Sequence, residues 1–133
     1  MTSDAMFHPD LSIYTKQHDL LRELAMKSDC VIVGRCADYV LKDLNPIRIF
    51  AYADMPSKIK RCMERRPEGE SLNEAQMKKS IEKIDRSRAK YYSFFSGQKW
   101  GARENYDLLI NTSGADINAL SSAICRYIDT SAE

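Results

Sequence analysis

Three short apolar runs constrain the fold of this chain most strongly, because segments with helical periodicity separate them. The runs at residues 30–34, 47–53 and 106–112 are predicted as β-strands. The 30–34 segment has the sequence CVIVG, and such a β-branched run without polar alternation is typical of a strand buried on both faces of a parallel sheet. Strands that alternate with helices predict an α/β fold, here a three-layer α/β/α arrangement around a short parallel sheet.

Five helical segments surround these runs and complete the predicted order αβαβααβα. In the longest, Ser71 and Glu74 are predicted to form a capping box, and Gly97 and Gly101 to end the helix. Pro56 lies in the first turn of the preceding helix, where proline is tolerated. The helices are predicted at residues 10–27, 35–42, 54–66, 71–97 and 116–128.

Length and composition predict one globular domain. The chain has 133 residues, so we expect a single domain over residues 1–133, and 44% hydrophobic with 29% charged residues argues against disorder. The N-terminal stretch MTSDAMFHPD does not resemble a secretory signal and no apolar run could span a bilayer, so we expect a cytoplasmic protein without a membrane partner. The four cysteines form no CxxC pair, which favours buried free thiols over a metal site.

Positive charge is concentrated in one part of the chain. Between Lys58 and Lys90 lie 11 of the 20 lysines and arginines and six acidic residues, so this window carries +5 and the remainder −4. A local basic field favours an anionic ligand such as a phosphate, although a solvated helix surface accounts for most of these lysines. Because the whole chain has a net charge of only +1, we expect no nucleic-acid partner.

An arginine interrupts the apolar stripe of the long helix. Steps of three and four residues place six positions on one face, namely Met77, Ile81, Ile84, Arg88, Tyr91 and Phe95. Asp85 lies three residues before Arg88, so an ion pair within the helix is the simpler interpretation. A guanidinium facing the core needs partners, and its planar fork suits a phosphate, so the alternative is an anion site that includes Arg88.

A second arginine is predicted at the carboxyl edge of the sheet. Arg35 directly follows the first predicted strand, and ligands of parallel α/β sheets lie beyond the carboxyl ends of their strands. We therefore predict a phosphate site that contains Arg35 and Arg88, in which Asp85 accepts a hydroxyl hydrogen bond or orients an arginine. Candidates for a second anionic group lie on the preceding helix, namely Arg61, Arg65 and Arg66.

Four stretches in this order resemble the cytidylate kinase-like family of the P-loop nucleoside monophosphate kinases. They are VIVGRCADYVL, IRIFAYA, IEKIDRSRAKYY and YDLLINTSG, and the resemblance runs from about Leu20 to the C-terminus. It implies a P-loop NTPase-like fold and the transfer of a phosphoryl group from ATP, with Mg²⁺, to CMP or dCMP.

The resemblance also implies roles for the acceptor-side residues. Arg35 matches the arginine that contacts the monophosphate of the acceptor, and Asp85 with Arg88 matches the D-x-x-R motif that reaches its sugar and phosphate. The family has Asp directly after the Gly-Arg pair, whereas this chain has Cys36, so Asp38 is the candidate for nucleotide recognition.

On the ATP side, Arg61 and Arg65 match arginines that approach the ATP phosphates and neutralise charge in the transition state. The lid would comprise residues 66–73. The phosphate-loop motif GxxxxGK[ST] does not occur in this sequence. Because that loop holds the transferred phosphates, we expect little or no kinase activity from the chain alone.

The family's phosphate-loop strand lies between the strands that match residues 30–34 and 47–53, so a truncated P-loop NTPase-like sheet has a vacant position. Unpaired backbone groups there are unfavourable. We expect the two strands to pair directly, or the position to be filled by N-terminal residues, by another copy in a homo-oligomer or by a complementing chain; alternatively, the chain belongs to a longer protein. A non-catalytic nucleotide-binding or protein-interaction module remains the alternative function.

Overall fold

The computed structural model describes residues 10–131, which contain five α-helices and two β-strands. Their bounds are α1 Leu11–Lys27, α2 Ala37–Val40, β1 Ile49–Tyr52, α3 Met55–Arg65, α4 Glu74–Ser96, β2 Leu108–Asn111 and α5 Ile117–Ser131. Short 3₁₀ turns, Lys42–Leu44 and Arg103–Asn105, precede β1 and β2. The prediction of a mixed α/β fold with a short parallel sheet is confirmed. No helix within residues 10–131 is long and apolar enough to cross a lipid bilayer.

The sheet consists of β1 and β2, which pair in parallel with Ile49 opposite Leu108. Hydrogen bonds extend this short ladder at its first end, where the Asp107 carboxylate accepts the backbone N–H of Arg48 at 2.7 Å and also contacts its guanidinium. At the other end, the backbone N–H of Thr112 donates to the Tyr52 carbonyl at 2.7 Å. Because two-stranded sheets are marginally stable by themselves, these end contacts matter for the sheet.

The prediction of a strand in the 30–34 segment is wrong. This segment has no ladder partner within residues 10–131, and the side chains of Val31 and Val33 are 93% and 87% exposed. Ile32, between them, packs against the buried cluster around Leu21. The predicted direct pairing with β1 is also absent from the described residues. A β-branched composition favours an extended backbone, but a strand also needs a neighbour that completes its hydrogen bonds.

The helix ends follow local capping chemistry. Asp10 caps α1 by accepting the backbone N–H groups of Ser12 and Ile13 at 3.0 and 3.1 Å. At the start of α4, Asn73 and Gln76 exchange two side chain to backbone hydrogen bonds, each 2.9 Å long. The capping box predicted at Ser71 and Glu74 is therefore two residues too early.

The described residues form two compact units. The first comprises residues 10–46 and Arg86–Ala102, and the second comprises Ile47–Asp85 and residues 103–131. The first unit has a buried apolar cluster, formed by Leu21, Ala37, Val40 and Leu41. The expectation of one domain over residues 1–133 remains a prediction.

The apolar stripe of α4 is buried at its beginning but not at its centre. Met77 and Ile81 are buried, whereas Ile84 is 48% exposed and Arg88 is exposed. The expectation that Arg88 faces the core is therefore wrong. Helical periodicity places side chains on one face, but it does not supply a neighbour that covers the whole length of that face.

Candidate functional site

Arg35 lies in a left-handed turn at the surface of the first unit. Gly34, Arg35 and Cys36 have φ values of 70°, 60° and 58°, and the Ala37 N–H donates to the Gly34 carbonyl at 3.2 Å. Glycine adopts this conformation without steric conflict, whereas each of the other two residues costs about 1–2 kcal/mol. The helix predicted to begin at residue 35 therefore begins at Ala37. Strain of this kind persists only where surrounding contacts fix it, and it is often found at ligand sites.

A buried hydrogen-bond network lies against this turn. Tyr92 is only 5% exposed, and its hydroxyl donates to Asp38 Oδ2 at 2.7 Å while lying 2.8 Å from the side-chain amide of Gln98. Ser96, one helical turn later, donates to the Tyr92 carbonyl and contacts the Cys36 thiol. The network therefore joins the end of α4 to two residues of the turn region, Cys36 and Asp38.

Cys36 is a buried packing group in this network. Burial, together with the charge of Asp38, raises the pKa of its thiol to about 12. At neutral pH the residue is therefore a thiol rather than the reactive thiolate. The prediction that the cysteines are buried is wrong for Cys30 and Cys125, which are exposed.

Aromatic side chains pack beside the turn. Tyr14 stacks on Phe95 with ring centroids 3.8 Å apart, and Tyr91 lies 4.8 Å from the same ring. Burial raises the pKa of Tyr91, and the positive charge of Arg35 opposes that rise. The Arg35 charge is therefore within electrostatic range of the Tyr91 hydroxyl.

Asp85 forms an ion pair that the sequence did not predict. Its carboxylate lies 2.7 Å from the ammonium of Lys58 on α3, and both side chains are partly buried. Lys58 carries no sequence signal for this contact, because it is one of many lysines in the basic window. Arg88, three residues after Asp85, is exposed on α4.

In the second unit, Arg61 contacts the carboxyl edge of the sheet. Its guanidinium donates to Thr112 Oγ1 at 2.9 Å and to the Thr112 carbonyl. Nearby, the backbone N–H of Asp54 donates to Ser113 Oγ at 2.7 Å. Hydrogen bonds from Ser57, with smaller contributions from Ser113 and Arg61, lower the pKa of Asp54, which caps α3. The Arg61–Thr112 contact therefore joins α3 to the end of β2.

The remaining candidates lie at the end of α3. Arg65 is exposed in its last turn, and Arg66 donates to the Leu72 carbonyl at 2.8 Å. Residues 66–73 form the loop between α3 and α4, where the lid is predicted. Within residues 10–131, no group of three or more His, Cys, Asp or Glu side chains is arranged to hold a metal ion.

The sequence matches the cytidylate kinase-like family over residues 3–114. The chain belongs to this family. The matched region of this cytidylate kinase-like chain includes every candidate site residue from Arg35 to Arg88, together with both strands of the sheet. Among proteins with curated descriptions, none matches the chain.

A solved structure is also similar to this cytidylate kinase-like chain. The crystal structure of an uncharacterized protein from Eubacterium ventriosum is 36% identical in sequence, with a TM-score of 0.81. The similarity covers 94% of this chain and 69% of the other. The two proteins therefore share a fold over nearly the whole of the chain described here.

Proposed function

We propose that this chain binds a nucleoside monophosphate and provides the acceptor side of a phosphoryl transfer from ATP to CMP or dCMP. The observation that supports this most directly is the position of Arg35. An exposed cation lies on a turn with two strained non-glycine residues, at the place where the family resemblance implies contact with the acceptor phosphate. Strained backbone conformations are often found at ligand sites, and a guanidinium binds a phosphate through charge-assisted hydrogen bonds, so the two features together support an anion site here.

In this proposal Arg35 and Arg88 supply the cations for the acceptor phosphate. Asp38 and Asp85 accept hydrogen bonds from the nucleotide's sugar or base. Both carboxylates already have a protein partner, since Asp38 accepts from Tyr92 and Asp85 pairs with Lys58. A carboxylate offers about four acceptor positions, so these contacts orient the two groups without exhausting their capacity.

Arg61 and Arg65 serve the phosphates of ATP, and Mg²⁺ enters as part of the ATP substrate. We propose that the chain completes a P-loop NTPase-like sheet only together with a segment that carries GxxxxGK[ST]. Without the amides and lysine of that loop, nucleotide binding is expected without measurable turnover. The test is an assay of phosphoryl transfer from ATP to CMP or dCMP. We expect no turnover with the chain alone and measurable turnover when a phosphate-loop segment from a family member is added.

Calorimetric titration with CMP, dCMP and ATP tests the binding proposal. We expect saturable heat with CMP or dCMP, and a loss of affinity of about 10-fold to 100-fold in Arg35→Ala, because a charge-assisted hydrogen bond contributes about 1.5–3 kcal/mol. Arg126→Ala, which removes an exposed cation from α5, is the matched control and should retain the affinity. No heat with any nucleotide, and no ligand-induced shift in melting temperature, would reject the proposal.

Self-association is a second candidate function, and it has its own observation. Val31 and Val33 are almost fully exposed, and β1 has one ladder partner among the described residues. Unpaired edges and exposed apolar strands are templates for pairing with another chain. The proposed partner is a second copy in a homo-oligomer. Analytical ultracentrifugation should then show a concentration-dependent dimer, whereas a monomer at every concentration argues against this candidate.

A further inference from the structure

Tyr92 ends the stretch IEKIDRSRAKYY, but neither the charge pattern nor the family resemblance assigns it a role. Its side chain is buried, and its hydroxyl donates to Asp38, 54 residues earlier in the chain. We propose that Tyr92 is a positioning residue that fixes the left-handed turn of Gly34, Arg35 and Cys36 and thereby holds the Arg35 guanidinium in place for an anion. The anion in this inference rests on the proposed function, whereas the claim about the turn does not.

The turn needs such support because its residues favour another conformation. The sequence predicts a right-handed helix from residue 35, and only the positive φ values of Arg35 and Cys36 delay its start to Ala37. If both residues relaxed to negative φ, α2 would gain two residues at its beginning, which is about half a turn. Arg35 would then become a helical residue and its side chain would leave in a different direction.

The contacts from α4 hold both sides of this helix start. Tyr92 binds the carboxylate of Asp38 in the first turn of α2, and Ser96 contacts the Cys36 thiol just before it. Tyr92 and Ser96 are four residues apart and both are buried, so they lie on one face of α4. This arrangement holds residues 36 and 38 against one face of α4. The backbone conformation at Arg35, which lies just before them, is thereby fixed.

The hydroxyl of Tyr92 is the most specific part of this arrangement. The Tyr92 phenol donates to the Asp38 carboxylate in a partly buried setting, and such a charge-assisted hydrogen bond is stronger than a neutral one. The ring supplies packing, and the hydroxyl alone supplies the link to Asp38. Tyr92→Phe therefore separates the positioning role from the packing role.

A double-mutant cycle with CMP as the probe tests the inference. Tyr92→Phe should weaken CMP binding about tenfold in the native background but less than about twofold in the Arg35→Ala background, because the hydroxyl acts through Arg35. Tyr52→Phe removes an exposed hydroxyl in the second unit and should leave the affinity unchanged in both backgrounds. An equal loss of affinity in both backgrounds overturns the inference.

Amide hydrogen exchange provides a readout that requires no ligand. The Ala37 amide, which donates to the Gly34 carbonyl, should exchange about tenfold faster in Tyr92→Phe, while amides in the centre of α1 keep their native rates and show that the variant is folded. Unchanged exchange at Ala37 overturns the inference. If the native chain binds no CMP, the proposed function fails, and this measurement alone decides the claim about the turn.

Discussion

The 30–34 segment and strand β1 have similar composition but different structures. Both are short apolar runs that the sequence predicts as strands. Only β1 forms a ladder, and it does so with β2, whereas Val31 and Val33 are exposed. Composition therefore specifies an extended backbone, and the availability of a neighbour decides whether that backbone becomes a strand.

Polar contacts at the two ends of the ladder are the other difference. The Arg48–Asp107 contact lies before the paired residues, and the Arg61–Thr112 contact lies after them. The 30–34 segment is followed by the turn at Arg35, which is held from the side of α4 instead.

Cysteine labelling should distinguish the exposed thiol at the start of the 30–34 segment, Cys30, from the buried thiol that follows the segment, Cys36. Cys30 is exposed, whereas Cys36 is buried and its pKa is raised to about 12. At pH 8 the thiolate fraction of Cys36 is then lower than that of an ordinary thiol by about a thousandfold or more, and labelling by a thiol reagent should slow accordingly. The measurement is stopped-flow or mass-spectrometric labelling of the folded protein.

Denatured protein provides the control for this experiment, because all four cysteines should then react at similar rates. The pH dependence has a definite sign. A raised thiol pKa stabilises the fold below the ordinary value of 9.0 and this contribution is lost as pH rises towards 12. Rapid labelling of Cys36 in the folded protein at pH 8 would contradict the buried network around Tyr92.

Removal of the Arg48–Asp107 contact should weaken the sheet most. Asp107→Ala should lower the free energy of unfolding by about 2 kcal/mol, because the carboxylate accepts both the backbone N–H and the guanidinium of Arg48. Asp129→Ala, an exposed acid on α5, is the control and should change it by less than about 0.5 kcal/mol. Chemical denaturation measures both values.

The same contact predicts a dependence on acid. The backbone N–H of Arg48, followed by its guanidinium, lowers the pKa of Asp107 below its ordinary 3.8. A lowered carboxyl pKa stabilises the fold above the unfolded value and this contribution is lost as pH falls through the folded value. Asp107→Asn should therefore lose less stability than the native chain between about pH 5 and pH 2. Parallel acid-unfolding curves would show that the contact is not formed.

Loss of the Arg61–Thr112 contact should have a smaller effect. Arg61→Ala is expected to lower the free energy of unfolding by about 1 kcal/mol, since it removes two hydrogen bonds at a partly exposed edge. Arg65→Ala, one turn later on α3 and exposed, is the matched control. Equal stability of the two variants would mean that the end of the ladder does not depend on Arg61.

Sequence patterns predicted the helices well because helix formation and capping depend on residues that are close together in the sequence. The helix at residues 10–27 was predicted from periodicity, and the end of α4 was predicted from Gly97, which the structure shows with a positive φ. The capping box was displaced because Ser71 with Glu74 and Asn73 with Gln76 have the same spacing. Sequence spacing alone does not choose between two such pairs.

Features that depend on distant neighbours were not predictable in the same way. Burial of Arg88 would require a neighbouring element that packs over the centre of α4, where Arg88 is in fact exposed. A strand in the 30–34 segment would require a neighbouring strand, and the sheet of the described residues contains only β1 and β2. The Tyr92–Asp38 contact joins residues 54 positions apart, with no pattern that connects them. Arg35 was predicted at the carboxyl edge of the sheet, but the 30–34 segment before it is not a strand, and Arg35 lies instead in a left-handed turn before α2.

The smallest effect is expected at Val33 itself. Val33→Lys should change the free energy of unfolding by less than about 0.5 kcal/mol in dilute solution, because its side chain is 87% exposed. Ile32→Ala, at the adjacent residue that packs against the cluster around Leu21, should cost about 1–2 kcal/mol by removing partly buried apolar groups. The two variants compare opposite faces of the same extended backbone, and chemical denaturation at low and high protein concentration measures both.

A loss of stability in Val33→Lys that appears only at high protein concentration would mean that a second copy covers this face. Equal losses in both variants in dilute solution would mean that the 30–34 segment is packed on both sides and that its resemblance to β1 is structural after all.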